Sequence, residues 1–160
     1  MPLSDMGLFF EDFSIGAGLV TGTRQIDEAD VAAFSRLTRD TNPIHRDAAA
    51  MKAHPFGKPV VHGMLAVSIG VGMISAVGLN RGTLVAMLSQ EITYRHPLFI
   101  GDTVHVRMEV IDKRETRNPM RGIVSYRFEV LNASDIVVVE GLNKNMVFRK
   151  STWKRNGDDT

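Results

Sequence analysis

The stretch GMLAVSIGVGMISAVGL, from Gly63 to Leu79, contains no charged residue. Its seventeen residues carry internal glycines at 70, 72 and 78. They fall short of the about 20 apolar residues that cross a bilayer, and they sit mid-chain in an otherwise polar sequence. They read as a helix buried on nearly all sides, not as a membrane span. Such a helix needs apolar neighbours on most faces, and the residues after it supply them. TLVAMLSQEITYRHPL, TVHVRMEVIDKR, RGIVSYRFEVLN and IVVVEGLNKNMVFRK are rich in β-branched and aromatic residues, with partial alternation. FIGD and NASD are turns between them, and ETRNPM is a longer loop. A twisted antiparallel sheet of about five strands curled around one helix satisfies both halves of the pattern. The expected fold class is therefore α+β.

Working outward, GLVTGTRQI reads as a first strand and DEADVAAFSRLT as a helix. Asp27 is a suitable N-cap for that helix, Asp30 adds negative charge to its first turn, and Val31, Phe34 and Leu37 share one face. DAAAMKAH is a short helix capped by Asp47, and PFGKPV is too broken by proline and glycine for regular structure.

The chain has 160 residues, enough for one domain with a real core and too few for two. Residues 1–150 are expected to form it, with 151–160 as a flexible tail. Apolar residues make up 44% and charged residues 23%, and net charge is +1. That balance gives no electrostatic case for nucleic acid or an anionic membrane. There is no cysteine, which excludes a disulfide frame, a thiolate metal site and a cysteine nucleophile. The acidic opening MPLSDMGLFFEDF does not read as a targeting segment, and a cytoplasmic protein is expected.

The chemistry-bearing segment is RDTNPIH, residues 39–45. On a continuous helix Asp40 and His45 would point about 140° apart. Pro43, however, pushes Asn42 out of the helical region, so the first helix should end around Thr38 to Asp40. A turn at Asn42-Pro43 then lets both side chains reach one side. A carboxylate and an imidazole that converge can hold one water and move its protons in different directions. A turn-capping aspartate beside a surface histidine would have the same spacing. The second segment is KPVVHGML, residues 58–65, with Gly63 at the mouth of the apolar helix. The first amides of a helix have no internal partner, and glycine allows a ligand close to the backbone. A thioester carbonyl there would gain a donor where enolate charge develops. A plain reading makes His62 the cap of that helix.

Together these residues resemble the MaoC-like dehydratase family, the (R)-specific enoyl-CoA hydratases or hydratase 2. The resemblance rests on Phe34, on Asp40-Thr41-Asn42-Pro43-Ile44-His45 and on Pro59-Val60-Val61-His62-Gly63-Met64. LFFEDFSIGAGLVTGTRQIDEADVAAF, PLFIGDTVHVRMEV, RGIVSYRFEV and VVVEGLNKNMVFRK extend it over nearly the whole chain except the last ten residues. It implies a hot-dog fold, with an antiparallel sheet wrapped around a central helix. It also implies acyl-thioester substrates and a homodimer or dimer of dimers. By position it makes Asp40 and His45 the catalytic pair and the Gly63 amide the polariser of the thioester carbonyl. Asn42 and His62 become supporting residues, and Met64 a substrate contact. Asp40 is then the base toward water, and His45 shuttles a proton to the α-carbon. The implied reaction is hydration of a trans-2-enoyl thioester to the (R)-3-hydroxyacyl thioester, or its reverse. No resident cofactor is expected, since coenzyme A or acyl carrier protein enters with the substrate.

One departure concerns Arg39, where the family usually has glycine. Arg39 reads as pointing to solvent; facing the pocket instead, it would favour a polar or carboxylated acyl chain. Arg114, Arg117 and Arg121 surround a loop and read as a solvated face, with Arg117 and Arg121 kept as candidates for the phosphates of coenzyme A. His96 and His105 lack metal-ligand spacing, so no metal is expected. Competing readings are a hot-dog thioesterase and a non-catalytic acyl-binding subunit.

Overall fold

The computed structural model describes residues 6–150 and Trp153. In chain order its elements are β1 (Gly18–Val20), β2 (Arg24–Gln25), α1 (Glu28–Thr38), α2 (Ala48–Met51), α3 (Gly63–Ala76), β3 (Leu84–Tyr94), β4 (Thr103–Glu115), β5 (Arg121–Asn132) and β6 (Val137–Phe148). The strands form one antiparallel sheet in the order β1-β4-β5-β6-β3, with β2 also paired to β4. The expected single strand from Gly18 to Ile26 is divided. At the break, Val106 N–H donates to the Thr21 hydroxyl, so a side chain takes over the ladder bond there.

α1 forms as its sequence dictates. Asp27 caps it by accepting from Asp30 N–H, and the Asp30 carboxylate returns the bond to Asp27 N–H. α3 packs across one face of the sheet, against β4, β5 and β6, and this is the hot-dog arrangement. Val104, Val106, Phe128 and Val130 are wholly buried beneath it. Each such side chain contributes about 1.5–3 kcal/mol by leaving water. Gly70 permits the close approach, since a Cβ there would lie 2.6 Å from Val130 Cγ2.

The expectation that α3 is buried on nearly all sides is corrected. Leu65, Ala66, Val67, Ile69, Gly70 and Ile74 are buried. Met64, Ser68, Gly72 and Ser75 are exposed, at the intervals of one helical face. The reason is that the sheet stops at β3, its outer strand. Leu84, Met87, Leu88 and Tyr94 of that strand are themselves exposed. One face of α3 and the free edge of β3 are thus uncovered together.

Among the described residues no helix is long and apolar enough to cross a membrane. Most of the expected C-terminal tail lies outside the described residues. Trp153 is the exception, packing edge-on against Phe9 and Phe148 with ring centroids 5.8 and 4.8 Å away.

Candidate active site

The site begins where α1 ends. Arg39 closes that helix in the left-handed region, at φ 62°. The next residues are held by their own polar groups. Asp40 N–H donates to Thr38 Oγ1 at 3.2 Å, Asn42 N–H to Asp40 Oδ1 at 3.2 Å, and Ile44 N–H to Asn42 Oδ1 at 3.2 Å. Pro43 opens a single 3-10 turn that ends at His45. The Asn42 side chain thus holds the start of the turn. The turn is then fixed to the segment before α3, because Val60 N–H donates to Ile44 O at 3.0 Å.

These bonds bring together the residues singled out in the sequence. His45 Nε2 lies 3.8 Å from Asp40 Oδ2, and His62 Nε2 lies 4.0 Å from the same oxygen. The exposures of the three side chains differ: Asp40 48%, His45 13% and His62 3%. His45 Nδ1 approaches Val60 O at 2.8 Å. A carbonyl only accepts, so Nδ1 carries the proton, and in neutral His45 the free lone pair is on Nε2, facing Asp40.

His62 does not cap α3. It occupies the N-cap position, but its side chain makes no capping bond. Its ring instead stacks on His45, with centroids 3.7 Å apart and planes at 22°, and leans on Phe34 at 5.1 Å. Burial, and next the nearness of His45, push the His62 imidazole below its ordinary value. The Asp40 carbonyl and carboxylate act in the opposite direction.

The ligand atoms of Asp40, His45 and His62 all lie within 4.8 Å of one another. The spacing would suit a cation, but the ring geometry does not. An imidazole binds a metal along its lone pair, at about 2.0–2.1 Å. Two near-parallel rings do not aim both lone pairs at one point.

A cavity of about 780 Å³ opens onto these groups. That is within the ~300–1,000 Å³ common for small-molecule sites. Asp40, His45 and Gly63 line it, and Phe56, Val61, Leu98 and Val139 give it apolar walls. Met64 lines it too, with Tyr94 O–H donating to its sulfur at 3.2 Å. The Gly63 amide is the first of α3, and a Cβ at Gly63 would come within 2.7 Å of Tyr94 Cε1.

Three candidate substrate contacts lie away from the cavity. Arg39 is exposed and does not line the cavity. Its departure from glycine is a backbone matter, since φ 62° is the region glycine enters freely. Arg117 and Arg121 sit at the far end of the sheet. Arg121 pairs with Phe148, nine residues along β6 from the cavity wall at Val139, or roughly 30 Å at strand spacing. Residues that sequence reasoning missed are Tyr94, the last residue of β3, and Arg95 and His96 just after it, which all line the cavity. His96 donates Nδ1–H to Val137 O at 2.9 Å. Tyr-Arg-His carries no local signal for such a role.

Arg39→Gly should raise stability by about 1 kcal/mol, the usual cost of a side chain in the left-handed region. Urea unfolding would show it as a higher midpoint with unchanged slope. A lower midpoint would contradict the backbone explanation.

The family model for the MaoC like domain matches residues 12–131. The chain belongs to the MaoC-like dehydratase family. This MaoC-like chain is 35% identical over 95 residues to the (R)-specific enoyl-CoA hydratase of Aeromonas caviae, spanning 59% of this chain and 69% of that protein. It is 36% identical over 107 residues to the 3-hydroxybutyryl-CoA dehydratase of Methylorubrum extorquens, spanning 66% and 65% respectively. Among solved structures, the monoamine oxidase regulatory protein of Archaeoglobus superposes with a TM-score of 0.84 at 31% identity, covering 89% of this chain and 95% of that one. The named hydratase and dehydratase relatives make this a family of hydro-lyases.

Proposed function

We propose that the chain hydrates a trans-2-enoyl thioester to the (R)-3-hydroxyacyl thioester, or runs the reverse dehydration. One observation carries the reading. Two proton acceptors, His45 Nε2 and Asp40 Oδ2, face each other 3.8 Å apart on a largely apolar cavity. Two acceptors at that distance do not bond directly, but one water can donate a hydrogen to each.

The chemistry follows from this placement. The water oxygen bonds to C3 while the C2=C3 electron pair moves toward the thioester carbonyl. One water proton passes to His45 Nε2. The other stays on the new hydroxyl, held by Asp40 until the bond has formed. The enolate oxygen accepts from the Gly63 amide, which the helix dipole favours. His45 then returns its proton to C2. Atoms balance as one H and one OH added. The imidazolium that forms in between is stabilised by the Asp40 carboxylate. This revises the division of labour expected from the sequence, which made Asp40 the base toward water: Asp40 orients and polarises the water, and His45 both takes and gives the single transferred proton. The reading requires no resident cofactor. Coenzyme A or acyl carrier protein arrives as part of the substrate, and the absence of cysteine suits a reducing, cytoplasmic setting.

The test is crotonyl-CoA, followed at the conjugated enoyl-thioester band beside a free-thiol assay. Loss of the band without thiol supports hydration. Thiol release would identify a thioesterase instead. No change across several chain lengths would favour an acyl-binding subunit.

We further propose a homodimer built on β3. An outer strand of eleven residues with exposed Leu84, Met87 and Leu88 invites pairing. Antiparallel pairing with a second β3 would continue the sheet and cover the open face of α3. Wild type should show a light-scattering mass near twice 17.7 kDa, and Met87→Glu/Leu88→Lys should shift it toward one chain. A monomeric wild type at micromolar concentration would refute the dimer.

A further inference from the structure

His62 takes no part in the proton transfers above, yet it is the most buried of the three groups. Its Nε2 lies 3.4 Å from Asp40 O and 3.3 Å from Ser35 Oγ. Its Nδ1 is buried with no partner. We propose that His62 is a positioning residue: a neutral imidazole, protonated on Nε2, that ties the Asp40 main chain to the start of α3 and gives the His45 ring a flat surface to lie on.

The proton's place follows from the partners. The approach of Nε2 to a carbonyl oxygen is a hydrogen bond only if Nε2 is the donor. A proton on Nδ1 would leave a buried donor unpaired, which proteins tolerate less often than an unpaired acceptor. A proton on both nitrogens would add a buried charge against His45, 3.7 Å away. The titratable groups that face His62 are Asp40 and His45. Phe34 and Ser35, its neighbours from α1, carry no charge. The downward push on His62 described above agrees with this assignment.

The consequence lies in chain order. His62 reads the position of Asp40, and the next residue, Gly63, presents its amide to the carbonyl. One dipeptide therefore sets the distance between the held water and the polarised thioester. Asp40 needs such an anchor because its carboxylate is half exposed and its loop follows a left-handed residue. The His45 ring is fixed at Nδ1 by Val60 O, and the stacked surface of His62 limits how far it can tilt.

Two arms test this on the full chain. The first is long-range proton–nitrogen NMR of the imidazoles. His62 should show Nε2–H and a bare Nδ1, unchanged between about pH 6 and 8, a window around the ordinary histidine value. A His62 that charges in that window, or carries its proton on Nδ1, overturns the proposal. The second arm is kinetic and rests on the hydratase reading, whereas the first does not, so the failure of one leaves the other legible. His62→Ala should lower kcat by about 10²-fold, the cost of a misplaced group, with KM little changed. His62→Gln, which keeps a donor, and His62→Phe, which keeps a ring, should each recover part of that loss. Folding of each variant is checked by circular dichroism. Folded variants with wild-type kcat would reduce His62 to packing and overturn the role. If His62→Gln is as inactive as His45→Asn and an ionisation disappears from the pH profile, His62 transfers protons and the proposal is wrong.

Discussion

Asp40→Asn should lower kcat for enoyl-CoA hydration by about 10²–10⁴-fold, the range for one member of an acid–base pair acting on the reacting water. The fold should not suffer, because the carboxylate is half exposed and its one loop bond, from Asn42 N–H to Oδ1, survives in the amide. What is lost is an acceptor for water and the charge that stabilises imidazolium at His45. His45→Asn should cost as much. Asparagine places an N–H near the position of Nδ1, so the bond to Val60 O is kept while Nε2 is removed. The double variant should be little worse than either single one, since both groups act on one water. Initial rates with crotonyl-CoA decide the matter. A single variant that retains more than about a tenth of the wild-type rate would deny that residue its role.

The second large effect is expected at Gly63, where a pair of substitutions separates the amide from the space around it. Gly63→Ala keeps the N–H but drives a Cβ toward the Tyr94 ring, 2.7 Å away. Gly63→Pro does the same and also deletes the donor. Proline is well accommodated at the first helical position. His62 before it already has an extended ψ of 132°, as a residue preceding proline requires. α3 should therefore survive in both. Beyond whatever alanine costs, proline should lower kcat by a further 10²–10³-fold, roughly the worth of one oxyanion donor. Equal rates in the two variants would show that the amide does not meet the developing charge.

Much of this arrangement was legible in the sequence because it depends on local rules. Asp27 starts α1 by a capping box, and Pro43 makes Asn42 leave the helix, so the turn that joins Asp40 to His45 could be drawn from seven residues. The four long strands announced themselves by β-branched and aromatic content. The features that were not legible depend on distant parts of the chain. Met64, Ser68, Gly72 and Ser75 are as apolar or small as the buried face of α3, and composition does not say whether the same chain or a second copy covers them. Arg117 and Arg121 are close together in sequence, but only the register of β5 on β6 reveals that they lie at the wrong end of the sheet. A histidine before a helix looks like a cap. That His62 turns away to stack on His45 depends on Val60 holding the 3-10 turn beside it. For Arg39 the sequence left solvent and pocket both open, although a position where glycine is usual speaks first of φ.

The central claim is that Asp40 and His45 add one water across an enoyl thioester and return one of its protons to C2. Incubation of the wild-type protein with crotonyl-CoA in deuterated water tests it most directly, with the product read by NMR and chiral analysis. The expected product is (R)-3-hydroxybutyryl-CoA with a single deuterium at C2 and the thioester intact. Release of free coenzyme A, an (S)-hydroxy product, or unchanged crotonyl-CoA would contradict it.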